Sequence, residues 1–379
     1  MKLDFQTIGL CLLILMGSST IFFVSGWNDS DTYRFYNRAC YHNDQFDTPI
    51  LSKTIFNALG CNILLWKITE FILMLIILFT LFLCLTKYDF EPKIIYLTFL
   101  CAYFVYFYLS FEDDHLAFPL LTFGFFALQK NKKWPTNILF LLLTIFLGLF
   151  VWKGAFLIGG IIFLWSLKPV IGLCGTLIYL EYFGLNNWGG STEAIIGKSL
   201  LVNMPILFII FLFIIFRKFD WKKELNQNFA LLTSFMILVF FQPKWGTYLI
   251  LPILLILGCL KKEFFETKTF RLLVILSLCY FLFVSIWATV NQQPSFEQRK
   301  LLEEAVRIQK EGNIVLNDWS LGAYITFLGG KPSMSGGYTG PQGSDKNYFW
   351  IGKNNINCET IQTKDSLFLQ KCGEIIQQP

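Results

Sequence analysis

Phe111-Glu112-Asp113-Asp114-His115 is a group of acids with one histidine that separates two strongly apolar runs. One run extends from Ile94 to Phe111 and the other from Leu116 to Leu128. Both runs have the composition of membrane-embedded segments. Because an unpaired charge at the centre of a bilayer costs roughly 2.5 to 3.5 kcal/mol or more, we expect the acidic cluster to lie at a helix–helix turn near one membrane surface.

The composition of the whole chain agrees with this interpretation. Of its 379 residues, 55% are hydrophobic and 15% are charged, and the mean hydropathy is +0.54. A chain of two or three soluble domains is excluded, and the sequence predicts a mainly α-helical, polytopic membrane protein. Nucleic acid is not an expected partner.

Roughly eleven apolar runs are candidate transmembrane helices, since a helix crosses with about 20 apolar residues or with fewer when it is broken or packed inside the protein. The first run lacks a small-residue cleavage site, so we expect an uncleaved helix. The candidate spans are about 5–25, 64–86, 94–110, 116–129, 137–152, 155–167, 169–183, 201–216, 229–242, 247–260 and 272–290.

Positive charge is distributed unevenly between the turns that join these spans. With a cytoplasmic N-terminus, one set of turns collects most of the basic residues, which is the positive-inside pattern. This set contains Lys2, Lys87, Lys93, Lys130, Lys132, Lys133, Lys168, Arg217, Lys218, Lys222, Lys223, Lys261, Lys262, Lys268 and Arg271. The acidic cluster, the first loop, Trp152-Lys153, the 184–200 loop and the C-terminal tail are then extracytoplasmic. We expect a multi-pass protein of the plasma membrane.

The tail differs in kind from the rest of the chain. Residues 291–379 are polar and predict a small extracytoplasmic α/β domain that follows a transmembrane domain over 1–290. Pro294 precedes a predicted helix that ends near Lys310, and a short strand is predicted from Asn313 to Leu316.

The cysteines fall into two groups. Six lie in candidate spans and are expected to be inert core residues. Cys40 and Cys61 share the first outer loop, and Cys358 and Cys372 share the tail. In an oxidising exterior each pair could form a disulfide, and four free thiols are the open alternative.

The first outer loop offers carboxylates just outside the membrane. Asp29 and Asp31 precede a segment in which aromatic residues alternate with basic ones, including Arg34. Asp31 would cap a helix that begins at Thr32, which is an ordinary role for aspartate. The alternative is functional, because such a group could hold a sugar or a phosphate.

The 111–115 cluster also permits two interpretations. It could be a solvated turn. However, four adjacent titratable groups disfavour one another's charged forms unless a cation lies among them. Oxygen ligands together with an imidazole suit Mg²⁺ or Mn²⁺.

Two further polar residues lie on the same predicted side. Glu193 adds a carboxylate in a glycine-bearing loop, although it would also fit the first turn of a helix. Lys244 lies between Pro243 and Trp245, where it could extend to the membrane surface or bind a lipid phosphate.

The order of these motifs resembles the GT-C membrane glycosyltransferases. The motifs are Asp31 followed by Tyr and Arg, the Asp113-Asp114-His115 turn, Ser191-Thr192-Glu193, and Lys244-Trp245. The likeness is strongest to the catalytic subunit of oligosaccharyltransferase, including its single-subunit bacterial and archaeal forms.

The resemblance implies a divalent metal, Mn²⁺ or Mg²⁺, and a lipid-linked donor. In that family, acids of two outer loops and a glutamate of a third hold the metal, and a basic residue contacts the donor pyrophosphate. The implied metal ligands here are Asp31, Asp113, Asp114, His115 and Glu193. The implied phosphate-binding residues are Lys244 and Arg34.

The tail carries a further likeness and a departure from it. Asn317-Asp318-Trp319-Ser320-Leu321-Gly322 resembles the W-W-D-Y-G region, which implies that Trp319 and Ser320 contact the acceptor. Ser320 stands in place of the aspartate of that motif, and Asp318 in place of its first tryptophan. The usual mode of acceptor recognition is therefore not implied.

The resulting hypothesis is a glycosyltransferase that moves a sugar or oligosaccharide from a polyprenyl-phosphate or polyprenyl-diphosphate donor to a protein, glycan or lipid acceptor. Asp31, Asp29 and Asp113 are its candidate catalytic residues, and one of the first-loop acids would orient or deprotonate the acceptor. With a monophosphate donor, one aspartate without a metal would suffice.

Three alternatives stay open from the sequence. A transporter or flippase of a lipid-linked or anionic solute predicts charges inside the spans. The candidate spans contain few, namely Lys67, Glu70 and Glu181, and all three lie near span ends. A polysaccharide polymerase or ligase would carry arginine-rich outer loops. A catalytically silent scaffold is the third.

Overall fold

The computed structural model describes residues 5–23, 32, 35–36, 39–40, 49–109, 111, 113–131, 133–183, 205–216, 218–219, 223–241, 243–292, 294–317, 321–330, 334–335, 338–339, 348–353 and 358–372. These residues are mostly helical and form a small mixed sheet near the C-terminus. The predicted combination of a mainly helical chain with a small C-terminal α/β part is confirmed at this level.

The helices of the described residues follow the apolar runs of the sequence. They are α1 (Phe5–Phe23), α2 (Ile50–Leu59), α3 (Ile63–Lys87), α4 (Ile95–Thr98), α5 (Ala102–Tyr108), α6 (Asp113–Lys130), α7 (Trp134–Phe150), α8 (Ala155–Leu167), α9 (Pro169–Phe183), α10 (Pro205–Ile215), α11 (Lys223–Phe241), α12 (Ile250–Leu257), α13 (Lys268–Gln292), α14 (Phe296–Lys310) and α15 (Gly322–Phe327). Three 3₁₀ segments, Pro92–Ile94, Pro243–Leu249 and Lys262–Glu266, complete them.

Each of the eleven predicted apolar runs contains helix. The run at 94–110 is interrupted, since α4 ends at Thr98 and α5 begins at Ala102. Among the described residues, two helical stretches, Ile63–Lys87 and Lys268–Trp287, are long and apolar enough to cross a membrane, and the other apolar helices are shorter.

The short elements α4 and α12 lie at the centre of the helical core. Every residue of Ile95–Thr98 and of Ile250–Leu257 is buried. A helix that is apolar on all sides is stable when other helices surround it. The interruption between α4 and α5 is also buried, because Phe99 and Cys101 expose none of their surface.

The chain forms two compact units. The first contains the described residues of 1–24, 49–52 and 67–287, and the second contains those of 25–48, 53–66 and 288–379. The boundary near 288 lies close to the predicted one at 290. The sequence division did not anticipate that the first loop belongs to the same unit as the tail.

Within the first unit, lysine-rich turns contact one another at one end of the helices. Lys130 Nζ lies 3.9 Å from Asp89 Oδ2 and donates to the Lys87 carbonyl at 3.3 Å. Lys93 Nζ lies 2.5 Å from Glu266 Oε1. The turn after α3 is therefore joined to two other turns of the set that the sequence places on one side.

The second unit is built on a four-stranded mixed sheet. Its strands are β1 (Ile314–Asn317), β4 (Tyr348–Gly352), β5 (Glu359–Lys364) and β6 (Leu367–Cys372), in the order β1-β4-β6-β5. Strand β1 pairs parallel to β4 and the other pairs are antiparallel. A separate two-stranded sheet joins β2 (Met334–Ser335) and β3 (Tyr338–Thr339).

Helix α14 packs its apolar face on this sheet. Ser295 caps it by accepting a hydrogen bond from the Gln298 backbone N–H at 3.1 Å, and the Gln298 side chain accepts from the Ser295 N–H. Such a capping box satisfies two backbone groups that a helix terminus leaves unpaired. Leu302 and Ala305 of α14 are buried beside Leu369 of β6.

An aromatic cluster attaches the first loop to the tail inside the second unit. Tyr36 contacts Trp66 and Phe327, with ring centroids 5.7 and 5.9 Å away. The Tyr36 hydroxyl donates to the Cys61 carbonyl at 3.0 Å, and Trp66 Nε1 donates to the Gly60 carbonyl at 2.9 Å. Contacts remote in sequence therefore hold this loop.

Both candidate cysteine pairs are disulfides in the structure. Cys40 is bonded to Cys61 and Cys358 to Cys372. All four cysteines belong to the second unit, whereas the six free cysteines belong to the first. The alternative of four free thiols does not apply to this structure.

Candidate functional site

The acidic cluster lies where α6 begins. Asp113 and Asp114 occupy the first turn of this helix and are partly exposed. Carboxylates are favourable there because the helix dipole places positive charge at the N-terminus. The turn between α5 and α6 lies where the sequence predicts a helix–helix turn.

His115 is the buried centre of the cluster, with 1% of its surface exposed. Its Nδ1 lies 2.9 Å from Asp114 Oδ1, and its Nε2 contacts the Phe107 carbonyl. Its ring stacks on the Phe107 ring at 3.9 Å between centroids. The last carbonyls of a helix lack partners within that helix. His115 lies against one of these carbonyls of α5 and also contacts the first turn of α6.

Both groups that face the imidazole nitrogens are acceptors. A hydrogen bond to either group requires the facing nitrogen to donate. A neutral imidazole has one N–H and donates to one of these two groups, and both ring nitrogens face protein atoms. The role of His115 as a metal ligand stays a prediction, and it would require one of the two contacts to be exchanged.

The buried histidine bears on the choice between a solvated turn and a functional site. A solvated turn requires no buried imidazole. Here Asp114 keeps 16% of its side chain exposed while one carboxylate oxygen is held from beneath. The structure therefore differs from a fully solvated turn at Asp114, which contacts a buried histidine.

Aromatic contacts connect this cluster to two other turns that the sequence places on the same side. The ring of Phe107 lies 4.9 Å from Phe118, and Phe118 lies 6.0 Å from Tyr248. Tyr248 stacks on Trp152 at 5.2 Å, and Trp152 contacts Trp245 at 5.8 Å. The turns near residues 111, 152 and 244 therefore lie around one end of the helical unit.

The 3₁₀ segment Pro243–Leu249 is fixed against α5. Thr247 Oγ1 donates to the Tyr103 carbonyl at 3.4 Å. A Cβ atom at Gly246 would lie 2.4 Å from Cγ of the Tyr103 ring, so this close approach requires glycine. The backbone of Lys244 belongs to this segment, and its side chain lies outside the part of the chain that the structure describes.

Most of the other candidate site residues also fall outside the described ranges. Helical residues Thr32, Phe35 and Tyr36 follow the first-loop acids and are buried. In the tail, the candidate acceptor residues lie between the end of β1 at Asn317 and the start of α15 at Gly322. The candidates outside the described residues are Asp29, Asp31, Arg34, Glu193, Trp319 and Ser320.

Three of the five predicted metal ligands, Asp113, Asp114 and His115, belong to the described residues. Asp113 and Asp114 supply the oxygen donors that Mg²⁺ and Mn²⁺ prefer, and in this respect they fit the predicted ion. The described residues contain no group of three or more His, Cys, Asp or Glu side chains that could hold a metal. Metal binding stays a prediction.

A buried charge pair was not anticipated as a structural feature. Lys67 and Glu70 of α3 are 7% and 3% exposed, and they interact electrostatically. Lys67 Nζ donates to the Ile21 carbonyl at 2.7 Å, near the end of α1. A lysine placed there is favourable because it faces the negative end of the α1 dipole. The spacing of opposite charges three residues apart in an apolar run was the available sequence signal.

In comparisons with protein-family models, curated proteins and solved structures, nothing matches this chain.

Proposed function

We propose that this chain is a membrane glycosyltransferase of the GT-C type that uses a polyprenyl-phosphate or polyprenyl-diphosphate sugar donor on the outer face of the membrane. The observation that carries the proposal is the carboxylate pair Asp113–Asp114, of which Asp114 contacts the buried imidazole of His115. The acceptor is a protein, a glycan or a lipid.

The multi-pass placement, with about eleven spans and a cytoplasmic N-terminus, is part of the proposal. Helices of the first unit expose large apolar side chains, including Leu139, Val170 and Phe240. Extended apolar surface of this kind is unfavourable in water and indicates contact with lipid or another apolar surface. The contacts among the lysine-rich turns support a common side for them.

The disulfides support an extracytoplasmic second unit. Disulfides persist in oxidising compartments and are rare in the cytosol. Both pairs lie in the unit that combines the first loop and the tail. This observation is independent of the positive-inside pattern and leads to the same orientation.

Thiol labelling tests this orientation. Under denaturing, non-reducing conditions, a maleimide-polyethylene glycol reagent is expected to add to six of the ten cysteines. Treating intact cells with a membrane-impermeant reductant should raise the number of adducts to ten. A Cys358→Ser/Cys372→Ser variant is the matched control and should rise only from six to eight, because one pair remains. Ten adducts without reductant would contradict the proposed location of the second unit.

The residues have distinct roles in the proposed reaction. Asp113 and Asp114 lie at the leaving phosphate, and His115 fixes the position of Asp114. Lys244 and Arg34 offset the negative charge that develops there as the glycosidic bond breaks, and Asp31 or Asp29 orients or deprotonates the acceptor. Trp319 and Ser320 contact the acceptor. A bound Mn²⁺ or Mg²⁺ would supply further stabilisation of phosphate charge, and Asp113, Asp114, Asp31 and Glu193 would hold it.

A second candidate function is a transporter or flippase of a lipid-linked or anionic solute. The buried Lys67–Glu70 pair favours it, because ionisable residues within membrane helices frequently mark transport pathways. The contact of Lys67 with the Ile21 carbonyl also has a structural explanation as a helix cap. The glycosyltransferase is therefore the preferred proposal.

Sugar transfer by the purified protein is the direct test. We expect detergent-solubilised protein to transfer label from a pool of radiolabelled polyprenyl-linked sugars in the presence of Mn²⁺ or Mg²⁺. EDTA should abolish the transfer, and added Mn²⁺ should restore it. Transfer that survives EDTA would favour a metal-independent reaction with a monophosphate donor. If folded protein transfers no sugar from any donor, the glycosyltransferase proposal is contradicted and the transporter is favoured.

A further inference from the structure

A cavity of about 620 Å³ lies between α1, α3 and the 3₁₀ segment Pro92–Ile94 with the following helix α4. Its walls are almost entirely apolar and include Leu10 and Ile14 of α1 and Leu78 and Phe79 of α3. Lys93 lies at the end formed by the lysine-rich turn. Cavities of this size commonly bind small ligands.

Two glycines of α1 make close contacts with neighbouring elements. A Cβ atom at Gly9 would lie 3.0 Å from the Tyr96 ring, and one at Gly17 would lie 2.6 Å from Met74 Sδ. These two glycines are about 12 Å apart along α1. Leu10 and Ile14 lie between them in sequence and line the cavity. α1 is therefore closely packed before and after, in sequence, the two residues that line the cavity.

The wall of the cavity continues to the outer surface of the helices. Phe79, which lines it, is 62% exposed, and Leu10 and Phe82 are also exposed. A ligand can therefore reach the cavity from the side of the helical unit. In the membrane placement proposed above, that side is the lipid bilayer, and an apolar chain is the matching occupant.

Lys93 gives one end of the cavity a positive charge, which favours a ligand with an anionic head group. Its side chain is 17% exposed and pairs with Glu266 at 2.5 Å, and the Glu266 side chain is 72% exposed. Glu91 Oε1 lies further away, 4.0 Å from Lys93 Nζ. The hydrogen bond from Lys93 holds the pKa of Glu266 below its ordinary value, so this carboxylate is an anion at Lys93. Because the Glu266 carboxylate is exposed to solvent, the pair contributes little to stability. A phosphate can take the place of the carboxylate with a similar geometry.

We propose that this cavity binds an anionic phospholipid of the cytoplasmic leaflet, with an acyl chain between α1 and α3 and its phosphate on Lys93. The inference rests on the membrane placement in the proposed function and does not depend on the transferase reaction. The acyl chain lies between α1 and α3, beside the close contact of Gly17 with Met74.

Competitive lipid retention tests the proposal. Protein in detergent is incubated with equal amounts of dioleoylphosphatidylglycerol and dioleoylphosphatidylcholine, and bound lipid is measured by native mass spectrometry. We expect a preference of about 10-fold for the anionic lipid, which corresponds to about 1.4 kcal/mol. Lys93→Gln should bring this preference near unity. Lys168→Gln, which removes an exposed lysine that does not line the cavity, should leave it unchanged.

A second variant separates this site from general lipid adhesion. Ile14→Trp fills the cavity and should reduce retention of both lipids, while a matched Ile145→Trp change on the exposed face of α7 should not. Melting temperatures confirm that each variant is folded. Equal retention by Lys93→Gln and the parent protein, or full retention by Ile14→Trp, would overturn the proposal.

The same assay identifies the competing occupant. Displacement of the phospholipid by polyprenyl phosphate at equal concentration would assign the cavity to the polyprenyl tail of the sugar donor. It would overturn the proposal that a phospholipid binds there. The measurement requires no sugar transfer. If transfer is lost while the lipid preference is intact, only the glycosyltransferase proposal is contradicted. If transfer occurs without a lipid preference, only the lipid site is contradicted.

Discussion

Asp113→Ala is expected to lower sugar transfer by about 1000-fold with little change in melting temperature. Asp113 would act on the leaving phosphate through the metal ion that it is proposed to hold. Loss of one preorganised group that stabilises developing charge typically lowers the rate by about 100- to 1000-fold. Asp113 is partly exposed in the first turn of α6, so the helix does not require its burial. The measurement is transfer of label from the lipid-linked donor, at saturating Mn²⁺, per folded molecule.

Asp89→Asn is the matched control for that change. It removes an aspartate charge at an exposed turn of the opposite, lysine-rich end of the helical unit. Asp89 has a φ of 62°, and asparagine accepts this left-handed conformation readily. Transfer should therefore be unchanged. Full transfer by Asp113→Ala would remove the carboxylate pair from the mechanism.

The sequence predicted the helical boundaries well where charge and apolar composition change abruptly. Helices α8 and α9 match the predicted ranges 155–167 and 169–183 at both ends, because Pro169 and the preceding Lys168 separate two apolar runs. The start of α6 beside the acidic cluster follows from the same physics, since carboxylates are excluded from an apolar core and favoured at a helix N-terminus.

Features that depend on tertiary contacts were not predictable in the same way. The interruption of 94–110 falls inside a uniformly apolar run, and packing around Phe99 and Cys101 determines it. The association of the first loop with the tail depends on Tyr36 meeting Phe327, a pair that no periodicity indicates. The burial of Lys67 and Glu70 likewise requires the position of α1.

The candidate site shows the same division. The sequence identified the acidic turn and the chemistry of its side chains, but it did not distinguish a solvated turn from a supported one. The distinction comes from the Phe107 carbonyl, which meets His115 only because α5 ends there. The roles of Asp29, Asp31, Arg34, Glu193, Trp319 and Ser320 stay predictions.

His115→Ala is expected to affect both stability and catalysis. The substitution leaves a cavity beneath α6 and removes the donor from a buried carbonyl, changes that together cost about 2 to 4 kcal/mol. It also releases Asp114, and loss of a supporting hydrogen bond to a site residue lowers activity by about 10- to 100-fold. Because the substrate contacts are retained, kcat should fall while KM changes little.

His115→Gln distinguishes positioning from packing alone. The glutamine amide can donate to the Asp114 carboxylate or to the Phe107 carbonyl, but a single side chain does not reproduce the imidazole geometry with both partners. We therefore expect partial recovery of kcat and of melting temperature. Phe118→Leu, in the same aromatic group but without a polar contact to Asp114, should lower the melting temperature and leave kcat nearly unchanged. If kcat follows melting temperature equally in all three variants, His115 serves the fold and does not position Asp114.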